Sequence, residues 1–153
     1  MDEVIVHWSR SWSFHDLYRN PDLWYTRGIY AILTPSPISL LYIGMVYDQR
    51  FSTEIAHHLG PLDRGFPVVS RAGSVGRWIY KHVTTNPRAK IADIELITGN
   101  RISRQLVQDI EAALIMLNQP PANLRSMRRY YGRPVRIHHT GSRKPFEKVD
   151  IVE

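Results

Sequence analysis

Cysteine is absent from this chain of 153 residues. That gap excludes disulfides, thiolate metal centres and cysteine nucleophiles together, leaving oxygen and imidazole groups as the available ligands and catalysts. No window approaches the roughly 18 consecutive apolar residues of a membrane span. The opening segment carries Asp2 and Glu3, where a secretory leader has a basic stretch followed by an apolar one. The expectation is a protein that neither spans nor crosses a membrane, in a reducing intracellular setting, cytoplasmic or nucleoid-associated. With 10 Pro and 9 Gly the chain is not low-complexity. Internal repeats, a Walker-type glycine-rich loop and paired CxxC or HxxxH motifs are all missing, which removes the main support for nucleotide-cofactor and zinc readings.

What is present is an ordinary globular composition, 43% apolar and 22% charged, of a length that fits one domain over residues 1–153. The net charge of +6 is uneven: residues 1–60 hold 4 Lys+Arg against 6 Asp+Glu, whereas residues 124–153 hold 8 against 3. Arg125, Arg128, Arg129, Arg133, Arg136, Arg143 and Lys144 lie among Tyr130, Tyr131, His138 and His139. That mixture suits phosphate contact and base stacking, and a solvated basic tail has the same composition.

Hydrophobic periodicity places the elements. Residues 1–8 alternate loosely as a short strand, and Ser13 is a candidate cap for a short helix. Residues 28–34 and 39–44 are β-rich runs broken by Pro35-Ser36-Pro37, which reads as a hairpin. Residues 50–59 and 74–86 have helical spacing, separated by a loop punctuated with Gly and Pro. Residues 91–97 alternate with period two and end at Thr98-Gly99-Asn100. A helix then runs from about Ser103 to Asn118, its apolar stripe formed by Leu106, Ile110, Ala113, Leu114 and Leu117, and Pro120-Pro121 ends it. Two late segments, 135–138 and 149–152, are suited to an extra hairpin.

Gly28-Ile29-Tyr30, eleven intervening residues and Tyr42-Ile43-Gly44 fall on the two strands of the predicted hairpin, and Glu111 lies on the long helix with Asn123 twelve residues further on. In order and spacing this resembles the GIY-YIG nuclease superfamily over residues 28–123. The resemblance implies an α/β fold with a small antiparallel three-stranded central sheet flanked by helices, residues 1–27 and 124–153 being N- and C-terminal extensions. It further implies a metal-dependent endonuclease acting on nucleic acid, DNA ahead of RNA, with Glu111 as ligand to a Mg2+ or Mn2+ ion. Tyr30 is then the water-activating phenol, Tyr42 positions water or phosphate, and Asn123 fixes the hairpin against the Glu111 helix. A phenol with an ordinary pKa near 10 needs a nearby cation for that work. Both tyrosines also suit a sheet simply by β-propensity.

The family's arginine has no direct counterpart. Its expected position is Ser52, or Glu54 under an alternative alignment. Arg50 is the preferred substitute, because positions seven apart share a helix face and would line it up with His57. Arg77 or Lys81 of the next helix could instead enter the site or contact nucleic acid. His57 and His58 point about 100° apart on a helix, so only one can face the site. Without an arginine, the scaffold could serve as a catalytically inactive module binding nucleic acid or a protein partner.

Overall fold

The computed structural model describes residues 1–20, 27–99, 101–123, 130 and 132–153. The predicted hairpin forms: β3 (Arg27–Leu33) pairs antiparallel with β4 (Leu40–Tyr47). On its other side β3 pairs antiparallel with β7 (Arg88–Thr98), whose first half is buried on both faces. These three strands are only half of the sheet.

The expected three-stranded sheet with outlying extensions is therefore corrected. The strand order is β4-β3-β7, then β1 (Asp2–Trp8), β8 (Val135–Gly141) and β9 (Val149–Val152), with the two-residue β2 (Trp12–Ser13) also paired to β7. β1 lies antiparallel to β7 and parallel to β8, and β9 pairs antiparallel with β8. The late segments do form a hairpin, but one continuous with the main sheet. The reason is geometric. β7 has 11 residues, β3 pairs only its stretch up to Ala92, and the remainder takes β1 as partner. Helix α4 (Arg104–Asn118) likewise buries seven residues, more than three strands could cover. Val4, Val6 and Trp8 of β1 and Val135 and Ile137 of β8 complete its core.

The chain ends are locked by polar groups as well. The Trp8 Nε1–H donates to His139 Nδ1 at 3.0 Å, and His139 Nε2 lies 2.9 Å from Asp150. Trp8, His139 and Phe146 stack nearly parallel.

Apolar residues alternate between two clusters, so each face of the β3/β4/β7 region is covered. Ile29, Ala31 and Leu33 face α4, whereas Tyr30 and Ile32 join Phe51, Ile55, Leu59 and Ile79 on the other side. That second layer contains α1 (Phe14–Arg19), capped by the Ser13 side chain, α2 (Phe51–Leu59) and α3 (Ser74–His82). α3 stops four residues before its expected end, in a stretch of β-branched residues leading to Pro87. The loop between α2 and α3 holds a hairpin, β5 (Leu62–Asp63) with β6 (Phe66–Pro67), and a 3-10 turn at Val69–Arg71. Among the described residues no helix is long and apolar enough to cross a membrane.

Candidate active site

Both glycines of the two triplets have a steric reason. The Tyr30 ring lies across its cross-strand partner Gly44, where a Cβ would come within 2.2 Å of the ring, and a Cβ on Gly28 would stand 2.0 Å from the Ala92 carbonyl oxygen. Only hydrogen fits at either place. Tyr30 is thereby laid flat toward α2, 1% exposed, with its hydroxyl 2.9 Å from His58 Nε2. The O–H donates when the imidazole carries its proton on Nδ1. Tyr42 is half-buried beside both, its ring centroid 6.0 Å from Tyr30 and 4.8 Å from His58.

His58 therefore faces the tyrosines and His57 is exposed. Glu54, one turn before His58, brings a carboxylate oxygen to 3.8 Å from His58 Nε2. Glu111 arrives from α4 on the other face of the sheet, at β4, which is an edge strand. The edge is protected there by side chains and by one short segment. Asn123 accepts from the Ile43 N–H at 2.9 Å and donates to the Ile43 carbonyl at 3.0 Å, while the Ala122 N–H donates to Leu41 O at 2.8 Å. Asn123→Ala leaves the two Ile43 groups without partners, at about 1–3 kcal/mol each. Differential scanning calorimetry should show Tm falling by roughly 4–24 °C, and Asn123→Asp, which keeps the acceptor, should fall less.

The electrostatics of the cluster run against ionisation. Burial, with the Tyr42, Glu54 and Glu111 groups adding to it, raises the Tyr30 phenol well above its ordinary value, and burial with Glu111 raises Tyr42. Glu111 is pushed up to about 7, first by burial and then by Glu54, the Met45 backbone N–H working against both. Burial and His57 push His58 down to about 4. At 3.8 Å, Glu54 is too far to hold His58 protonated against that burial. At neutral pH the two phenols and the imidazole are neutral, and the Glu111 carboxyl beside Glu54 is close to half protonated.

Linkage gives these shifts opposite consequences. Glu111, raised in the fold from the ordinary 4.5, contributes stability that is complete at low pH and lost as pH rises through about 7, whereas the His58 contribution is lost as pH falls from 6.5 to about 4. Glu111→Gln should accordingly match the wild type in Tm near pH 4. Above pH 7 it should be the more stable, by an upper bound of roughly 3 kcal/mol, in thermal melts with chelator present. A constant difference across pH would mean Glu111 titrates normally.

Among the described residues no three His, Asp or Glu side chains gather into a metal-holding group. The donors present are the Glu111 and Glu54 carboxylates beside two phenol oxygens. Few, hard oxygen donors fit a magnesium-like ion that keeps most of its waters, and do not fit zinc.

The remaining sequence candidates lie elsewhere. Arg50 is the exposed N-cap of α2 with extended backbone, so it precedes the helix and does not share a helical face with His57. Arg77 and Lys81 are exposed on α3, outside the cluster. Arg133 donates through Nε to the buried Asp109 at 3.1 Å and lies 3.9 Å from Asp2, and Arg136 is 4.0 Å from Glu3. Those two cations are matched by carboxylates. Arg125, Arg128, Arg129 and Tyr131 fall outside the described residues.

No family model, curated protein or solved structure matches this chain. Its chemistry is therefore read from the cluster itself. The member that periodicity underweighted is Glu54, whose signal was present in its four-residue spacing to His58.

Proposed function

We propose that the protein is an endonuclease hydrolysing phosphodiester bonds in nucleic acid, DNA ahead of RNA, with one magnesium or manganese ion. The observation that carries this reading is the gathering of Tyr30, Tyr42, Glu54, His58 and Glu111 from four separate elements at one hairpin, although burial works against the charged forms of Tyr30, Tyr42, His58 and Glu111. Ionisable groups whose titration is perturbed by burial and by specific charged neighbours concentrate at functional sites.

In this reading Glu111, with Glu54 beside it, holds the ion, which when bound supplies positive charge to the phosphate and acidifies a water. Tyr42, the half-exposed phenol, orients water and phosphate. Tyr30, buried behind it, is oriented by its hydroxyl's hydrogen bond to the unprotonated Nε2 of His58. Arg50 supplies a fixed cation from the start of α2. Asn123 holds β4 and so sets both tyrosines.

The test is incubation of pure protein with supercoiled plasmid, linear duplex, single-stranded DNA and RNA, each with magnesium, manganese or chelator. Metal-dependent cleavage is expected. Ser52, or Glu54 under the alternative alignment, standing where the resemblance leads one to expect an arginine, favours the second reading, a binding module without catalysis. That reading is upheld by retention of nucleic acid with no cutting under either metal.

A further inference from the structure

The small hairpin between α2 and α3 presents an aromatic side chain to solvent beside a cavity. Among the described residues Phe66 is the most exposed large apolar side chain, at 76%. Arg64 and Gly65 form its two-residue turn with φ of +53° and +85°, the doubly positive geometry that suits the twist of a tight hairpin. A Cβ on Gly65 would meet the His15 ring at 3.0 Å, so the turn is braced against α1. The Val68 N–H donates to the Pro61 carbonyl at 2.8 Å and closes the base. Phe66 is held outward by a rigid support.

The adjoining cavity measures about 310 Å³, at the lower end of small-molecule sites, roughly 300–1,000 Å³. Phe14, Phe66, Pro67 and Pro87 give it apolar walls, with Ser13, Asn86 and Arg88 among its polar lining. The Arg88 guanidinium is fixed by donation to Ser11 Oγ at 2.6 Å and to Ser11 O at 2.9 Å. The carboxylates of Asp16 and Asp63, neighbours in sequence, do not line it. From Arg64 to Ala92 the chain has no acidic residue and six Lys+Arg, of which Arg64, Arg71, Arg77 and Lys81 are exposed. Whereas Arg133 and Arg136 face carboxylates, the cations of this stretch have no acidic neighbour within it in sequence.

We propose that this cavity is a slot for one unpaired nucleobase, stacked on Phe66, with the strand's phosphates on the exposed cations Arg64, Arg71, Arg77 and Lys81. The proposal rests on the nucleic-acid reading above. A flat aromatic wall with a few polar groups takes the π-face of any base, and a base still paired in a duplex cannot enter a slot of this size. β5 begins four residues after His58, and Phe14 belongs to the same side-chain layer as Tyr30. A strand anchored here therefore lies on the cluster's face of the sheet.

The test is anisotropy of a labelled single-stranded DNA or RNA oligonucleotide with the full chain in chelator. Phe66→Ala should weaken binding about tenfold or more through loss of one stack, with the log–log salt slope unchanged because no charge is removed. Phe66→Trp should restore the affinity. A wholly abasic oligomer should bind wild type and Phe66→Ala alike. Equal affinity of the two proteins for the base-bearing strand, or an equal loss on the abasic one, overturns the slot. These outcomes are separate from cutting: the slot stands if bases matter and nothing is cleaved, and cleavage stands if Phe66 is irrelevant. Failure to bind any nucleic acid overturns both.

Discussion

Glu111→Ala is expected to abolish metal-dependent cleavage and to leave nucleic-acid binding largely intact. Burial and the neighbouring Glu54 hold the Glu111 carboxyl up to about 7, so a cation is the partner that would make its ionised form favourable there. Phosphate contacts supply affinity from other residues, which is why binding survives. A packing role for Glu111 predicts something different. Its carboxyl also lies near the Met45 N–H of the edge strand, and an amide oxygen could accept in its place. Glu111→Gln is therefore the sharper variant. As an ion ligand Glu111 cannot be replaced by glutamine, and both variants should be inactive; as an edge cap it can, and Glu111→Gln should cut normally. Cutting by Glu111→Ala at the wild-type rate removes Glu111 from the site. The readout is plasmid nicking at several manganese concentrations, with anisotropy for binding.

The local parts of this architecture were legible because their causes are local. Proline breaks and β-rich runs mark β3 and β4, and α4 starts next to Ser103 as expected, the Ser103 side chain capping it. Which histidine faces the site stayed open in the sequence; the buried stripe of α2, Phe51, Ile55 and Leu59, decides it, since His58 adjoins that stripe and His57 is exposed. The sheet's true extent was not legible, since β1 and β8 are more than a hundred residues apart in the chain and their parallel register leaves no periodic trace. The same holds for Glu54 and Glu111. Only the crossing of α4 over the β4 edge brings them together, and that crossing depends on the complete sheet behind it. The β5–β6 hairpin was missed for the opposite reason: its strands are two residues each, too short for alternation to show. Leu117 reads as core by spacing yet is 43% exposed, because α4 has outrun the sheet by its last turn.

Arg50→Ala is expected to lower the cleavage rate by a factor of about 10²–10³, the cost of removing one fixed charge contact from a phosphoryl-type transition state. Hydrolysis adds negative charge at the phosphate, and the cluster's own carboxyl groups, Glu54 and Glu111, supply no positive charge, so a cation must come from its border. Arg50 is placed for this at the start of α2, where its carbonyl accepts from the Glu54 N–H at 3.2 Å. The shared-face argument with His57 fails, since Arg50 is the cap; the first turn of α2 is what relates it to Glu54. Arg50→Lys should recover part of the rate, because an ammonium keeps the charge and loses the planar two-pronged contact. Glu54→Gln separates the neighbouring roles. If Glu54 shares the ion with Glu111, this variant needs more manganese for half-maximal cutting, whereas Arg50→Ala needs the same amount and turns over slowly. Faster cutting by Glu54→Gln would instead make Glu54 an obstacle standing where a cation belongs. A wild type that cuts nothing with either metal, yet binds with a steep salt slope, would make Glu54 the mark of a scaffold that retains its grip on nucleic acid without the hydrolysis.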